Sequence, residues 1–310
     1  MLTGIQAVAY NRCRRVNGVP FLQYPPPTRH VMLNAVVTYR HDLSPGLMIL
    51  RVAPNGWAFP EFEPGQYVSL GLFGSARRTT LAEPEILAPE PEKLIWRAYS
   101  IASSPTNREF LEFYINLVPK GVLTPRLFNL GIGDRICLGS KVAGSFTLKS
   151  VPEEANLILI ATGTGLAPYV SMLTSRPNAG AQRRIVLIHG VRQSRDMGYR
   201  SFLTELQDHW PSFTYAPIVS RPQLEVSPWT GATGHVQDLW NSNALEDACG
   251  FRPEPLDTHV FLCGNPEMIE SMTAIMARVG FQEQTPKLRG QVHSEKYWPI
   301  KGGRQILIDS

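Results

Sequence analysis

Cysteine is scarce in this 310-residue chain. Only Cys13, Cys137, Cys249 and Cys263 occur, with no CxxC pair and no iron–sulfur spacing. A built-in iron–sulfur domain is therefore excluded, and the scarcity fits a reducing compartment such as the cytoplasm. The seven histidines form no HxxH or HxxxH pair, so no metal site is expected. Charge of one sign is also lacking. The net charge is only +4, with no like-charge block and no interleaving of basic and aromatic residues, which argues against a nucleic-acid partner. Mild basicity suits docking of an acidic protein instead. The uncharged stretch 155–175 is interrupted by "TGTG" and Pro168, and reads as strand, loop and helix rather than a membrane span. No internal repeat occurs, and a monomer is expected.

What is present is the composition of a soluble globular protein long enough for two domains, 43% hydrophobic and 18% charged. Residues 1–30 form an arm. The first 41 residues hold five arginines and no acid. A solvated basic arm hinged at "YPPPT" is the preferred reading, and an import presequence stays open. From about 31 to 150 the runs "LNAVVTYR", "LMILRVA", "QYVSLGLF", "WRAYSIAS", "EFLEFYINLV" and "DRICLGS" are β-rich and separated by turn residues, which predicts an antiparallel barrel or sandwich. From 151 to 298 the strands "NLILIA", "RIVLIHG", "FTYAPIVS" and "HVFLCG" alternate with helical patterns near 166–176, 199–210, 235–242 and 267–279. That alternation predicts a doubly wound parallel sheet, which binds ligands beyond the carboxyl ends of its strands. Residues 299–310 form a C-terminal extension. The Pro-Glu-rich stretch 75–95 reads as an extended, mobile loop.

Chemistry concentrates first in "RAYS", Arg97, Ala98, Tyr99 and Ser100. In isolation this is an edge strand with one polar face. In context it is followed by "KGVLTPRL", where Gly121 permits a sharp turn. The amides of Val122, Leu123 and Thr124, with the Thr124 hydroxyl, can bind phosphate at the start of a short helix. Arg97 supplies the matching guanidinium. Tyr99 offers a flat face and a hydroxyl to an aromatic ring system, and Ser100 a small donor beside a redox-active nitrogen. Together these suit a flavin. Tyr114, on the neighbouring strand, either flanks the same ligand or is an aromatic of the barrel.

The second concentration is "ILIATGTGLAP". Gly163 and Gly165 allow a pyrophosphate to approach a helix start, or form a plain tight turn. Val191 with Arg192, and Ser220 with Arg221, each follow a strand of the second half. A hydroxyl beside a guanidinium suits a phosphate monoester, whereas a plain ribose is usually held by an acid.

The motifs "RAYS", "GVLT", "ATGTGLAP", "GVR", "VSR", "CGNPEM" and "EKYW" stand in an order that resembles the short bacterial form of the ferredoxin/flavodoxin–NADP reductases, over residues 33 to 298. The resemblance implies an FAD-binding barrel followed by an NADP-binding α/β domain. Arg97 to Ser100, Tyr114 and Gly121 to Thr124 would then hold FAD, with Thr164 reaching toward both rings. Gly163, Gly165, Val191, Arg192, Ser220 and Arg221 would hold NADP. His235 stands where the family commonly has a second arginine, which weakens the preference for NADP over NAD. Cys263 would pack near the nicotinamide as a steric guide, and Glu295 matches an acid near the active site. Tyr297 would cover the flavin face that the nicotinamide must reach, and Trp298 would stack on the FAD adenine. The implied activity is hydride transfer from NADPH to FAD, then single electrons to an acidic ferredoxin or flavodoxin. The alternatives are a reductase serving a separate oxygenase, a flavin or ferric reductase, and an FAD-binding redox sensor without turnover.

Overall fold

The computed structural model describes residues 33–175, 183–241, 245–247 and 250–296. The N-terminal arm, the C-terminal extension, Tyr297 and Trp298 lie outside the described residues.

The β-rich first half forms six strands: β1 (Ala35–Ser44), β2 (Leu47–Pro54), β3 (Tyr67–Phe73), β4 (Leu94–Ser100), β5 (Leu111–Asn116) and β6 (Arg135–Ala143). They pair antiparallel in the order β4-β3-β6-β1-β2-β5. The edge strands β4 and β5 are drawn together where Ala102, just past β4, donates its N–H to the Glu112 carbonyl at 2.8 Å. Alternate side chains such as Met48, Leu50 and Val52, with Leu111, Phe113 and Ile115, fill the interior. This is the antiparallel sheet that the strand-rich runs predict, with its apolar face turned inward.

The second half alternates strand and helix. β7 (Asn156–Thr162), β8 (Ile185–Val191), β9 (Phe213–Val219), β10 (Ala232–Thr233), β11 (Thr258–Gly264) and β12 (Val292–Lys296) form a parallel sheet in the order β10-β9-β8-β7-β11-β12. A helix of one turn, α1 (Thr124–Leu127), belongs to the first half. α2 (Ala167–Thr174), α3 (Arg200–His209), α4 (Val236–Trp240) and α5 (Pro266–Arg278) cover the sheet. Period two divides each central strand between two cores. Leu157, Leu159 and Ala161 of β7 face α2 and α3, while Ile158 and Ile160 face α4 and α5. The parallel sheet is thus buried on both faces, which explains its nearly uninterrupted apolar strands. Among the described residues no helix is long and apolar enough to cross a membrane.

The α2/α3 core is continuous with Leu47, Ile49, Ala102, Tyr114 and Phe146 of the first half. Polar contacts lock this seam. The Tyr114 hydroxyl donates to the Asp196 carbonyl at 2.9 Å and accepts from the Gly198 N–H at 3.0 Å. Tyr199 has a left-handed backbone, with φ 61°, and its hydroxyl donates to Glu112 Oε1 at 2.8 Å. Arg51 bonds the other oxygen of Glu112 at 2.7 Å. Burial, followed by the charge of Glu112, pushes the Tyr199 phenol well above its ordinary pKa, so it stays a donor.

The loop 75–93 does not stand off as a mobile segment. Gly74 and Ser75 N–H donate to the carbonyls of Lys93 and Pro91 at 2.8 and 3.0 Å, closing its base. Thr79 N–H donates to Pro125 O at 2.8 Å, and Glu83 N–H to Pro119 O at 3.1 Å, fastening its body to the chain around α1.

Removing only the Tyr199 hydroxyl, in Tyr199→Phe, takes a donor from the buried Glu112 carboxylate. Urea unfolding is expected to show a loss of roughly 1.5 kcal/mol. An unchanged midpoint would mean that this bond contributes nothing to the seam.

Candidate functional site

The strand order fixes where a ligand can enter. From β7 the chain winds outward through β8 and β9 to β10, then crosses back to place β11 on the other side of β7. The strand order therefore reverses between β7 and β11, and their carboxyl ends open a crevice. Gly163, at φ 53°, and Thr164 follow β7, and Gly264, at φ 131°, ends β11. The two backbones touch here. A Cβ on Gly165 would collide with the Cys263 carbonyl, and one on Gly264 with the Thr162 hydroxyl. Glycine is required at both positions because no side chain fits between the loop and the strand end.

Beside this crevice lies a cavity of about 330 Å³ at the seam. It is lined by Arg97, Ala98, Tyr99 and Ser100 of β4, Tyr114 of β5, Gly121 to Thr124 and Thr164. Every residue assigned to the flavin from sequence and falling within the described residues is brought together in it. Ile115, Asn116, Val118 and Ala167 line it as well, and sequence reasoning missed them. Their signal was position alone: β5 runs straight into the turn, and Ala167 opens α2.

The donor set fits an anionic, flat cofactor. Among the described residues the amides of Val122, Leu123 and Thr124 have no backbone acceptor. The exposed Arg97 adds a guanidinium at the same wall. Tyr99 is half-buried, edge-on to Phe113 at 6.4 Å, and burial raises its phenol above the ordinary range. The Thr124 hydroxyl is engaged otherwise: its Oγ1 accepts from Val118 N–H at 3.0 Å and closes the turn. The Tyr114 hydroxyl is committed to the seam, so its ring rather than its oxygen faces the cavity.

β12 reaches the same place. It pairs with β11 so that Glu295 lies opposite Cys263, and Ser100 Oγ–H donates to Glu295 Oε2 at 3.0 Å. Burial raises the Glu295 pKa from 4.5 to about 7, with the Ser100 bond pulling the other way. Cys263 is wholly buried in the core beneath the loop. His189 was not foreseen. It is wholly buried on β8, with Nε2 3.2 Å from the Gly163 carbonyl and Nδ1 3.3 Å from the Tyr215 hydroxyl. Burial depresses its pKa to about 4, so it is neutral and Nε2–H donates to Gly163.

The residues assigned to the nicotinamide nucleotide line up along the same edge of the sheet. Ser220 N–H and Oγ–H both donate to Val191 O, at 2.9 and 3.2 Å, and Arg221 N–H donates to Arg192 O at 3.0 Å. Gly234 N–H donates to Val219 O at 2.9 Å, which sets His235 beside them as the residue that opens α4. The Arg192 and Arg221 side chains are exposed. The His235 N–H is held by Asp238 Oδ2 at 2.7 Å.

Comparison with known proteins agrees with this division. An oxidoreductase FAD-binding domain model matches residues 85–145, and an oxidoreductase NAD-binding domain model matches residues 159–274. The flavodoxin/ferredoxin–NADP reductase of Shigella flexneri is 33% identical over 76% of this chain and 88% of that protein. The enzyme of the same name from Buchnera aphidicola subsp. Baizongia pistaciae is 35% identical over 66% of this chain and 82% of that protein. In fold, the ferredoxin NADP+ reductase of Neisseria gonorrhoeae superposes with a TM-score of 0.72, at 24% identity, over 86% of this chain and 98% of that chain. With two cofactor domains in series and relatives matched along most of their length, the chain belongs to the ferredoxin/flavodoxin–NADP reductase family of FAD-dependent oxidoreductases, which move electrons between NADPH and FAD.

Proposed function

We propose that the cavity at the seam holds FAD, that NADPH lies along the carboxyl edge of the parallel sheet, and that the electrons go on to a ferredoxin or flavodoxin. The observation that carries this reading is the Ser100–Glu295 bond, which joins a strand of the cavity wall, through Ser100, to the last strand of the nicotinamide half. Residues 31–150 would be the flavin unit and 151–298 the nicotinamide unit. When bound, FAD supplies a ring system that takes up two electrons together and gives them up singly.

The chain's own contribution is placement. The Val122–Thr124 amides and Arg97 anchor the diphosphate, and Tyr99 and Tyr114 bound the ring. Gly163 to Gly165 let a second nucleotide come within contact of the first. Holding two reactants in one geometry lowers a barrier by about 7–11 kcal/mol. Ser220 and Arg221 would grip the 2′-phosphate, Arg192 would contact the nucleotide, and His235 would be a weaker further partner. Cys263 would act as a steric guide under the loop and would not attack. Tyr297 and Trp298 would cover ring and adenine, as proposed from the sequence. The scarcity of cysteine supports operation in the cytoplasm.

Stopped-flow bleaching tests the assignment. NADPH is expected to bleach the bound flavin faster than NADH, and Arg221→Ala to bring the two closer. Equal rates in the unaltered protein would remove the 2′-phosphate site. Arg97→Ala is expected to purify with less than one flavin per chain; full yellow protein would refute its role. Reduction of oxidised ferredoxin or of oxidised flavodoxin by the NADPH-reduced protein then distinguishes the carriers.

The same assay carries a pH dependence. Below about pH 7, protonated Glu295 donates to Ser100 Oγ and leaves the serine proton free to point into the cavity. Above it, the carboxylate holds that proton and places a buried negative charge beside a site that must gain electrons. Bleaching by NADPH is expected to slow as pH rises through 7, and Glu295→Gln to flatten the profile. An unflattened profile in that variant would assign the titration to another group.

A further inference from the structure

The turn that lines the cavity is gripped from behind by charge. Arg126 is only 2% exposed. Its Nη1 donates to Val122 O at 2.6 Å, and Nε and Nη2 donate to Gly74 O at 3.2 and 2.8 Å. Arg78, from the loop 75–93, donates through Nη1 to Gly121 O at 2.9 Å. One carboxylate joins the two guanidiniums. Glu85 Oε1 accepts from Arg126 Nη1 at 2.8 Å and Arg78 Nη1 at 3.0 Å, and its Oε2 accepts from Arg126 Nη2 at 3.0 Å. The hydrogen bond and charge of Arg126, and then the charge of Arg78, hold the Glu85 carboxyl below the usual carboxylate range.

Peptide geometry gives this grip a consequence on the cavity side. In a trans peptide the C=O of one residue and the N–H of the next point in opposite directions within one plane. The carbonyl of Gly121 shares its plane with the Val122 N–H, and the carbonyl of Val122 shares its plane with the Leu123 N–H. Both carbonyls are held by guanidiniums on the far side. Both amides, which have no backbone acceptor among the described residues, must therefore project the other way, toward the cavity that Val122 and Leu123 line. A cation on the carbonyl end also polarises the peptide and strengthens its N–H as a donor.

We propose that Glu85, Arg78 and Arg126 are positioning residues for the diphosphate of the flavin nucleotide: they fix the peptide planes whose N–H ends receive it. The proposal rests on the reading that the Val122–Thr124 amides bind that diphosphate. It gives the loop 75–93 a function, because Glu85 and Arg78 are carried on it while Arg126 is carried on α1. Two guanidiniums on one carboxylate also leave a surplus positive charge behind the turn, the sign that an anionic ligand in front of it needs.

A clamp that merely stabilised the fold would affect every flavin alike. A clamp that aims phosphate donors affects only ligands with phosphates. Full-length chain stripped of flavin is titrated with FAD and with riboflavin, following the quenching of flavin fluorescence. The unaltered protein is expected to hold FAD more tightly than riboflavin. Glu85→Gln keeps the shape but removes the charge that orients both arginines. Its FAD affinity is expected to fall about tenfold, the size of one charge-assisted hydrogen bond, with riboflavin affinity changed by less than about twofold. Arg78→Lys, on the more exposed partner, serves as the second variant and is expected to lose FAD affinity in the same selective way. Equal losses for both ligands, or no loss for either, in the variants would overturn the proposal while leaving the phosphate reading intact. No preference for FAD in the unaltered protein would overturn the reading itself, and the proposal with it.

Discussion

The contact on which the site depends is the approach of two backbones where the strand order reverses. The loop after β7 lies directly on the end of β11, with Gly165 against the Cys263 carbonyl and Gly264 against Thr162. Thr162 Oγ1 also accepts from Asn265 N–H at 2.8 Å, and Asn265 in turn caps α5 by accepting from Glu267 N–H at 3.0 Å. A side chain at either glycine would push the loop away from the sheet edge and into the cavity that Thr164 lines. On the proposed reading, the position of one cofactor relative to the other is set by the absence of two Cβ atoms. His189 reinforces it from below by holding the Gly163 carbonyl, and its burial keeps it from taking a proton that would change that bond.

The two turns assigned to the nucleotides share a physical device. In each, a donor on the protein side engages a carbonyl, so the following amide is presented on the other side. His189 does this to Gly163 with a neutral ring, and Arg78 and Arg126 do it to Gly121 and Val122 with charge. Burying a charged cluster is expensive, so its presence is weak evidence for added stability. The distribution here follows that logic. The charged version stands behind the turn assigned to a diphosphate, where surplus positive potential helps, and the neutral version stands beside the ring-facing loop.

Much of this was legible in the sequence for simple reasons. β-rich runs bounded by turn residues placed β1 to β6, apolar runs alternating with helical patterns placed β7 to β9 and β11, and each helical pattern of the second half became a helix. The motifs around Arg97, Gly121 and Gly163 were legible because local rules of turn and phosphate chemistry act within a few residues. The misses are of three kinds. β12, "VHSEK", is short and polar, and its strand character comes from pairing with β11 rather than from its own pattern. The loop 75–93 looked mobile because Pro-Glu composition has no apolar period. Its anchorage comes from Glu85 meeting Arg126 across 41 positions, which composition cannot reveal. The Ser100–Glu295 bond spans 195 positions for the same reason. His189 was hidden inside an apolar strand, where a histidine carries no sequence signal until its partners are known.

The seam explains why these distant pairings hold together. Tyr114 has its ring on the cavity at the seam and its hydroxyl on the Asp196–Gly198 turn, which comes a few residues after Val191 and Arg192 at the carboxyl edge of the parallel sheet. Tyr199, edge-on to Tyr114 at 5.5 Å, ties that turn back to Glu112 on the same strand. A left-handed backbone at a bulky residue costs roughly 1–2 kcal/mol, so the conformation persists only because several contacts demand it. The contacts made by the two tyrosine side chains run between β5 and the segment behind that edge, and Ser44 of β1 adds a bond to Asp196 at 3.1 Å. A shift of that edge must therefore move or strain the wall against which the flavin is proposed to lie, and the tyrosine pair couples the two halves alongside the shared core and the Ser100–Glu295 bond.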